Sequence, residues 1–137
     1  MIVIDASSLA EYVLHEDNWR DVSSFIKMKR PLYSIDHIVK EVGNSIWKHC
    51  YLRKVISREE ALKLYRALMR LFQTKAIIIE SEEKYLNTAM QIGLDYGTTL
   101  YDSLYLAQAQ EYGELLTSDE RQAKIAVQLN IRVHFVT

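Results

Sequence analysis

Two spacings of apolar residues alternate along this chain, one too short for helices and one recurring every three or four positions. Ile2 to Ile4 is a β-branched run that stops at Asp5-Ala6-Ser7-Ser8, the pattern of a buried strand running into a helix start. The spacing predicts a helix over 7–14. Asp17 then reads as the N-cap of another, with Trp19, Val22, Phe25 and Ile26 on one buried face and Pro31 as its stop. Leu32 to Ile35 is a second strand, and 36–52 a helix with Ile38, Val42, Ile46 and Trp47 inward. Ser57-Arg58-Glu59-Glu60 has the form of a capping box and opens a helix through Phe72. Ala76 to Ile79 is a third strand, followed by a helix from Ser81 that Gly93 can close. Thr99 and Asp102 form a second box-like cap for a helix ending at Tyr112 and Gly113. Leu115 to Thr117, 119–129 and Arg132 to Val136 complete the series as strand, helix and strand. Short apolar strands separated by helices call for a short, mainly parallel sheet covered on both faces, a three-layer α/β/α sandwich. Function in such a fold lies outside the carboxyl ends of the strands, at the switch point of the sheet.

Composition narrows the picture. The 137 residues are 49% hydrophobic and 26% charged, ordinary for a globular protein, and four glycines and one proline leave little material for linkers. No repeat or compositional break divides the chain, so 1–137 is expected to be one domain. Met1 to Ile4 is too short for a signal peptide or a membrane span, and Cys50 is alone, which excludes a disulfide framework and a thiolate metal cluster. A reduced, cytoplasmic setting is expected. His15, His37, His49 and His134 show no zinc-type spacing and read as structural or surface residues, and no Gly-rich phosphate loop is present.

Charge adds a partner. The net charge is −1, yet nine of the 17 Lys and Arg residues lie between Lys40 and Lys75 against three acids, a local excess of six positive charges. That suits a basic flank beside an acidic pocket; a solvated helical face has the same composition. Arg66 and Arg70 are candidates to guide a polyanion, and Lys48, seven residues after Glu41, to contact a phosphate. The tyrosines, among them Tyr101, Tyr105 and Tyr112, suit core and dimer packing better than base stacking.

The candidate chemistry lies in the acids. Asp5 follows the first strand and Asp119 stands two residues beyond the fourth, so both belong to the carboxyl edge of the sheet. Asp102 sits in the first turn of its helix, where the dipole favours an anion, and Glu41 rides the helix after the second strand with Asn44 one turn on. Each has an ordinary alternative: Asp119 as an N-cap, Asp102 as a helix stabiliser, Glu41 as a solvent-facing side chain. Carboxylates gathered in one place repel, and a divalent cation removes that penalty. Mg²⁺ and Mn²⁺ take such oxygen ligands and support phosphodiester hydrolysis by water, with no nucleophilic side chain.

Four segments together resemble the PIN-domain nucleases, specifically the VapC-like toxins of prokaryotic toxin–antitoxin pairs. They are Val3-Ile4-Asp5-Ala6-Ser7, Asp36 through Glu41-Val42-Gly43-Asn44, Tyr101-Asp102-Ser103-Leu104-Tyr105-Leu106-Ala107 and Leu116-Thr117-Ser118-Asp119, and the likeness covers nearly the whole chain. The resemblance implies that Asp5, Glu41, Asp102 and Asp119 surround Mg²⁺ or Mn²⁺, that Ser7, Asn44 and Thr117 support them, and that Asp36 ranks behind these. It also implies RNA as substrate, a homodimer and a small cognate antitoxin. Alternatives are a PIN nuclease acting in RNA processing or on DNA, and a non-catalytic module binding RNA or protein. A phosphotransferase of the haloacid-dehalogenase type fits less well, since Ser7 stands two residues after Asp5 where a second acid is needed.

Overall fold

The computed structural model describes residues 1–137, and its centre is a five-stranded sheet in which every strand is parallel to its neighbours. The strands are β1 (Ile2–Ile4), β2 (Leu32–Ile35), β3 (Ile77–Glu80), β4 (Glu114–Thr117) and β5 (Arg132–Phe135), in spatial order β3-β2-β1-β4-β5. The helices are α1 (Ala6–Val13), α2 (Trp19–Met28), α3 (Ile38–Trp47), α4 (Arg58–Gln73), α5 (Leu86–Tyr96), α6 (Leu100–Tyr112) and α7 (Glu120–Gln128). A π turn over Lys48–Leu52 extends α3, and a 3₁₀ turn over Glu82–Lys84 precedes α5.

The chain steps outward from β1 to β2 and β3 with α1 to α4 packed on one face. It then crosses back to β4 and β5 with α5 to α7 on the other. The expected α/β/α sandwich is therefore present. Its core runs along both faces: Val3, Ile4, Leu115 and Leu116 in the central strands, Leu9, Val42 and Leu68 on one side, Leu104, Leu106 and Ala126 on the other. A parallel strand buried on both faces explains why β1 reads as an unbroken apolar run. Because the connections leave β1 and β4 toward opposite faces, a crevice opens at the carboxyl ends of these two strands.

Several boundaries differ from the sequence reading for local physical reasons. Helix α2 begins after Asn18, whose φ of 68° turns the chain without a side-chain cap, so Asp17 is not its N-cap. Ser81 caps only the 3₁₀ turn, and α5 runs through Gly93 to close at Gly97, where φ is +67°. Gly93 serves contact instead: a Cβ there would lie 2.9 Å from the Thr98 carbonyl and 3.2 Å from Ser103 Oγ. Trp47, expected inward, is 48% exposed and stacks on Tyr51 at 5.3 Å. The capping box of α4 forms in full, with Ser57 and Glu60 each accepting the other's backbone N–H. No helix is long and apolar enough to cross a membrane.

Candidate active site

Three of the four acids owe their places to helix starts. Asp5 is the N-cap of α1, its Oδ1 accepting from Ser8 N at 3.2 Å, and Asp119 is the N-cap of α7, accepting from Gln122 N at 3.0 Å. Asp102 is the third residue of α6, where Thr99 Oγ1 accepts its N–H at 3.1 Å. Capping and site-building are compatible at Asp119, whose cap uses Oδ1 and leaves Oδ2 without a hydrogen bond from the chain. Glu41 comes from the first turn of α3. These four acids, with Ser7, Ser45, Ala6 and Ala10, line a single cleft of about 240 Å³. A larger and mostly apolar groove of about 430 Å³, walled by Tyr12, Val13, Leu64 and Leu71, has no converging set of acids.

Asp5 is the most constrained member. It is 3% exposed, Ser7 Oγ donates to its Oδ1 at 2.7 Å, and Thr117 Oγ1 donates to its Oδ2 at 2.5 Å. Ser7 Oγ in turn accepts Ser118 N–H at 3.0 Å, and Thr117 Oγ1 accepts Asp119 N–H at 3.1 Å. One hydroxyl network thus locks the end of β1 to the end of β4. Burial pushes the Asp5 carboxyl up to about 6 against these donors, and the Asp102 charge adds to the rise. Asp102 is raised as well, by burial first and then by the charges of Glu41 and Asp119.

Glu41 goes the other way. Burial alone would raise it, but contacts from His37 and Tyr105 outweigh burial and hold it below the ordinary carboxylate range. Tyr105 Oη donates to Glu41 Oε1 at 2.7 Å, and burial together with Glu41 keeps that phenol protonated. His37 Nε2 lies 2.6 Å from the same oxygen and is the foremost of the contacts that lower the Glu41 carboxyl. Both residues stood outside the sequence reading of the site. For His37 the signal was in the spacing, since it precedes Glu41 by four residues and shares its face; Tyr105 reaches Glu41 from another helix.

Other expected residues fall elsewhere. Asn44 is exposed and outside the cleft; at about 100° per residue it is rotated about 60° from Glu41, whereas Ser45, one fuller turn on, reaches the lining. Lys48 is exposed and outside the lining, two turns beyond Glu41 where the π turn begins. Asp36 is not in the cleft either. Its Oδ1 accepts from Glu82 N at 3.2 Å, beside His37. Arg66 and Arg70 are exposed on α4, and all nine basic residues from Lys40 to Lys75 are exposed with no ion pair inside the chain.

An all-oxygen lining of four carboxylates, with two of them raised by burial and mutual charge, suits a small hard dication. Comparison with known proteins identifies the family. A family model described as the PIN domain matches residues 2–128. The chain is 31% identical over 124 residues to Ribonuclease VapC3 of Pyrobaculum aerophilum, covering 90% of this chain and 92% of that protein. It is 25% identical over 120 residues to Exonuclease VapC9 of the same organism, covering 88% and 80%. The crystal structure of PAE2754 from Pyrobaculum aerophilum superposes with a TM-score of 0.66 at 24% identity, covering 94% of this chain and 98% of that one, a likeness of fold.

Proposed function

This chain belongs to the PIN-domain family, and on that premise we propose that it is an endoribonuclease hydrolysing RNA phosphodiester bonds with Mg²⁺ or Mn²⁺. The observation that carries the reading is the convergence of Asp5, Glu41, Asp102 and Asp119, from four separate segments, on one cleft at the sheet's switch point. Those four acids would hold the ion. When bound, such a dication neutralises charge growing on the phosphoryl oxygens and makes water a stronger nucleophile near neutral pH.

The chain's own residues do the positioning. Ser7 and Thr117 aim both oxygens of Asp5, and Ser7, with its hydroxyl engaged by Asp5 and Ser118, is a scaffold and not a nucleophile. Tyr105 and His37 keep Glu41 ionised and oriented. Ala6 and Ala10 keep the cleft wall low, leaving room for a phosphate. The unpaired basic residues between Lys40 and Lys75, Arg66 and Arg70 among them, support a polyanionic substrate. The kinship with VapC proteins supports a toxin restrained by a cognate antitoxin. Exposed Trp47, Tyr51, Leu62 and Tyr65 around an apolar groove support a protein partner; if that partner is a second copy of this chain, sedimentation will report a dimer.

The deciding experiment incubates linear and circular RNA with the protein in Mg²⁺ or Mn²⁺, in chelator, and with Asp5→Asn. Cleavage of both RNAs that disappears with chelator and with Asp5→Asn is expected; cleavage that persists in either condition overturns the reading. The likeness to a protein named an exonuclease favours a second reading, and degradation of linear but not circular RNA would select it.

A further inference from the structure

His37, at the mouth of α3, has no place in hydrolysis beyond its contact with Glu41, yet it is the least satisfied polar side chain near the site. It is 5% exposed; Nε2 is spent on Glu41, while Nδ1 has no hydrogen-bond partner. A buried ring nitrogen left without a partner is unfavourable, so a missing partner is the simplest account of its position. Its ring is held by Tyr105 at 4.9 Å and Tyr101 at 5.9 Å between centroids, and packing therefore fixes its direction. The Nδ1 edge faces Glu82, whose Oε2 is 3.9 Å away, and one ligand atom each from Asp36, His37 and Glu82 lie within 4.8 Å of one another. Glu82 is 41% exposed, so this cluster opens to solvent on its own side.

We propose that Asp36, His37 and Glu82 form a second cation site, separate from the four-carboxylate cleft, that takes a borderline transition dication such as Zn²⁺. Two carboxylates and one neutral imidazole balance the ion's charge and leave a fourth position for water. The nitrogen ligand selects Zn²⁺ over Mg²⁺. Bond lengths of about 2.0–2.2 Å place tetrahedral ligand atoms about 3.4 Å apart, so separations of up to 4.8 Å close by rotation of the Asp36 and Glu82 side chains. The supporting contact is already present. An imidazole that ligates through one nitrogen directs the other N–H to a carboxylate, and Nε2 abuts Glu41 Oε1 at 2.6 Å. Loading the site would fix the tautomer with the proton on Nε2, and so tie the new site to the orientation of Glu41.

The test separates the two sites. In a chain carrying Asp5→Asn and Asp119→Asn, which disables the cleft, Zn²⁺ is titrated calorimetrically in excess Mg²⁺ while long-range ¹H–¹⁵N spectra report the His37 ring. One Zn²⁺ per chain with a shift at His37 Nδ1 is expected. Adding Asp36→Asn and Glu82→Gln should weaken binding at least about tenfold. Both changes preserve shape, and Asp36→Asn retains a side-chain oxygen that can accept the backbone N–H of residue 82, so a far-UV spectrum should be unchanged. An unmoved His37 resonance, absence of Zn²⁺ uptake, or equal affinity after the two substitutions overturns the proposal. None of these readouts depends on RNA cleavage.

Discussion

Asp5 shows how one side chain can be both needed and costly. A carboxyl at about 6 in the fold and near its ordinary 3.8 when unfolded binds its proton more tightly in the native state. Its stabilising contribution is therefore complete below about pH 4 and lost as pH rises through 6, a swing of about 3 kcal/mol at about 1.36 kcal/mol per pH unit. Urea unfolding of wild type and Asp5→Asn in chelator should show the difference moving in favour of the variant between about pH 4 and 7; a difference flat with pH would contradict the burial argument. Saturating Mg²⁺ should raise wild-type melting and leave Asp5→Asn nearly unmoved. Tyr105 behaves in the opposite sense. Tyr105→Phe removes a hydrogen bond to a charged group, worth about 1.5–3 kcal/mol, and should raise the Glu41 carboxyl, shifting the acidic limb of the pH–rate profile upward. The four acids were legible from their order along the chain because strand ends and helix starts fix their positions locally. The Tyr105 contact was not, since nothing in the sequence around it says that its hydroxyl reaches Glu41 on α3.

Elements were legible where their ends are encoded locally and obscure where tertiary contact overrides the ends. The capping box at Ser57 and the cap at Thr99 depend on residues three apart; the first forms in full, and the second through the Asp102 N–H to Thr99 alone. Gly93 is the counter-example: its sequence looks like a terminus, and its role is close approach between α5 and the start of α6. Gly93→Ala adds about 1 kcal/mol of helix propensity but drives a Cβ to 2.9 Å from the Thr98 carbonyl, where backbone must move. Overpacking of this kind costs about 1–3 kcal/mol, so the clash wins and the net change is destabilising. Melting should fall by several degrees. It should also weaken catalysis, since the displaced segment leads through Thr99 to Asp102; an unchanged melting temperature would show that α5 and α6 can part without penalty.

At the scale of the molecule, a net charge of −1 conceals a division between an acidic cleft and a basic stretch, and that division carries the last prediction. The cleft by itself repels a phosphodiester, so the substrate must be drawn in by charge elsewhere. Lys40 lies on α3, which also carries Glu41 to the cleft, Lys48 on the π turn, Arg53 and Lys54 in the loop after it, Arg58, Lys63, Arg66 and Arg70 on α4, and Lys75 just beyond. Without partners inside the chain, their counterions are free to be released on binding. Each phosphate contact to single-stranded RNA contributes about 0.7 to the slope of log affinity against log salt. If Arg66 and Arg70 each make one, Arg66→Gln with Arg70→Gln should flatten the slope by about 1.4 and weaken binding most at low salt. Both residues are exposed, so stability should not change. Measured on Asp5→Asn, which binds without cutting, the slopes separate attraction from chemistry; identical slopes would mean that RNA approaches over another face, with α4 left to its apolar groove and a protein partner.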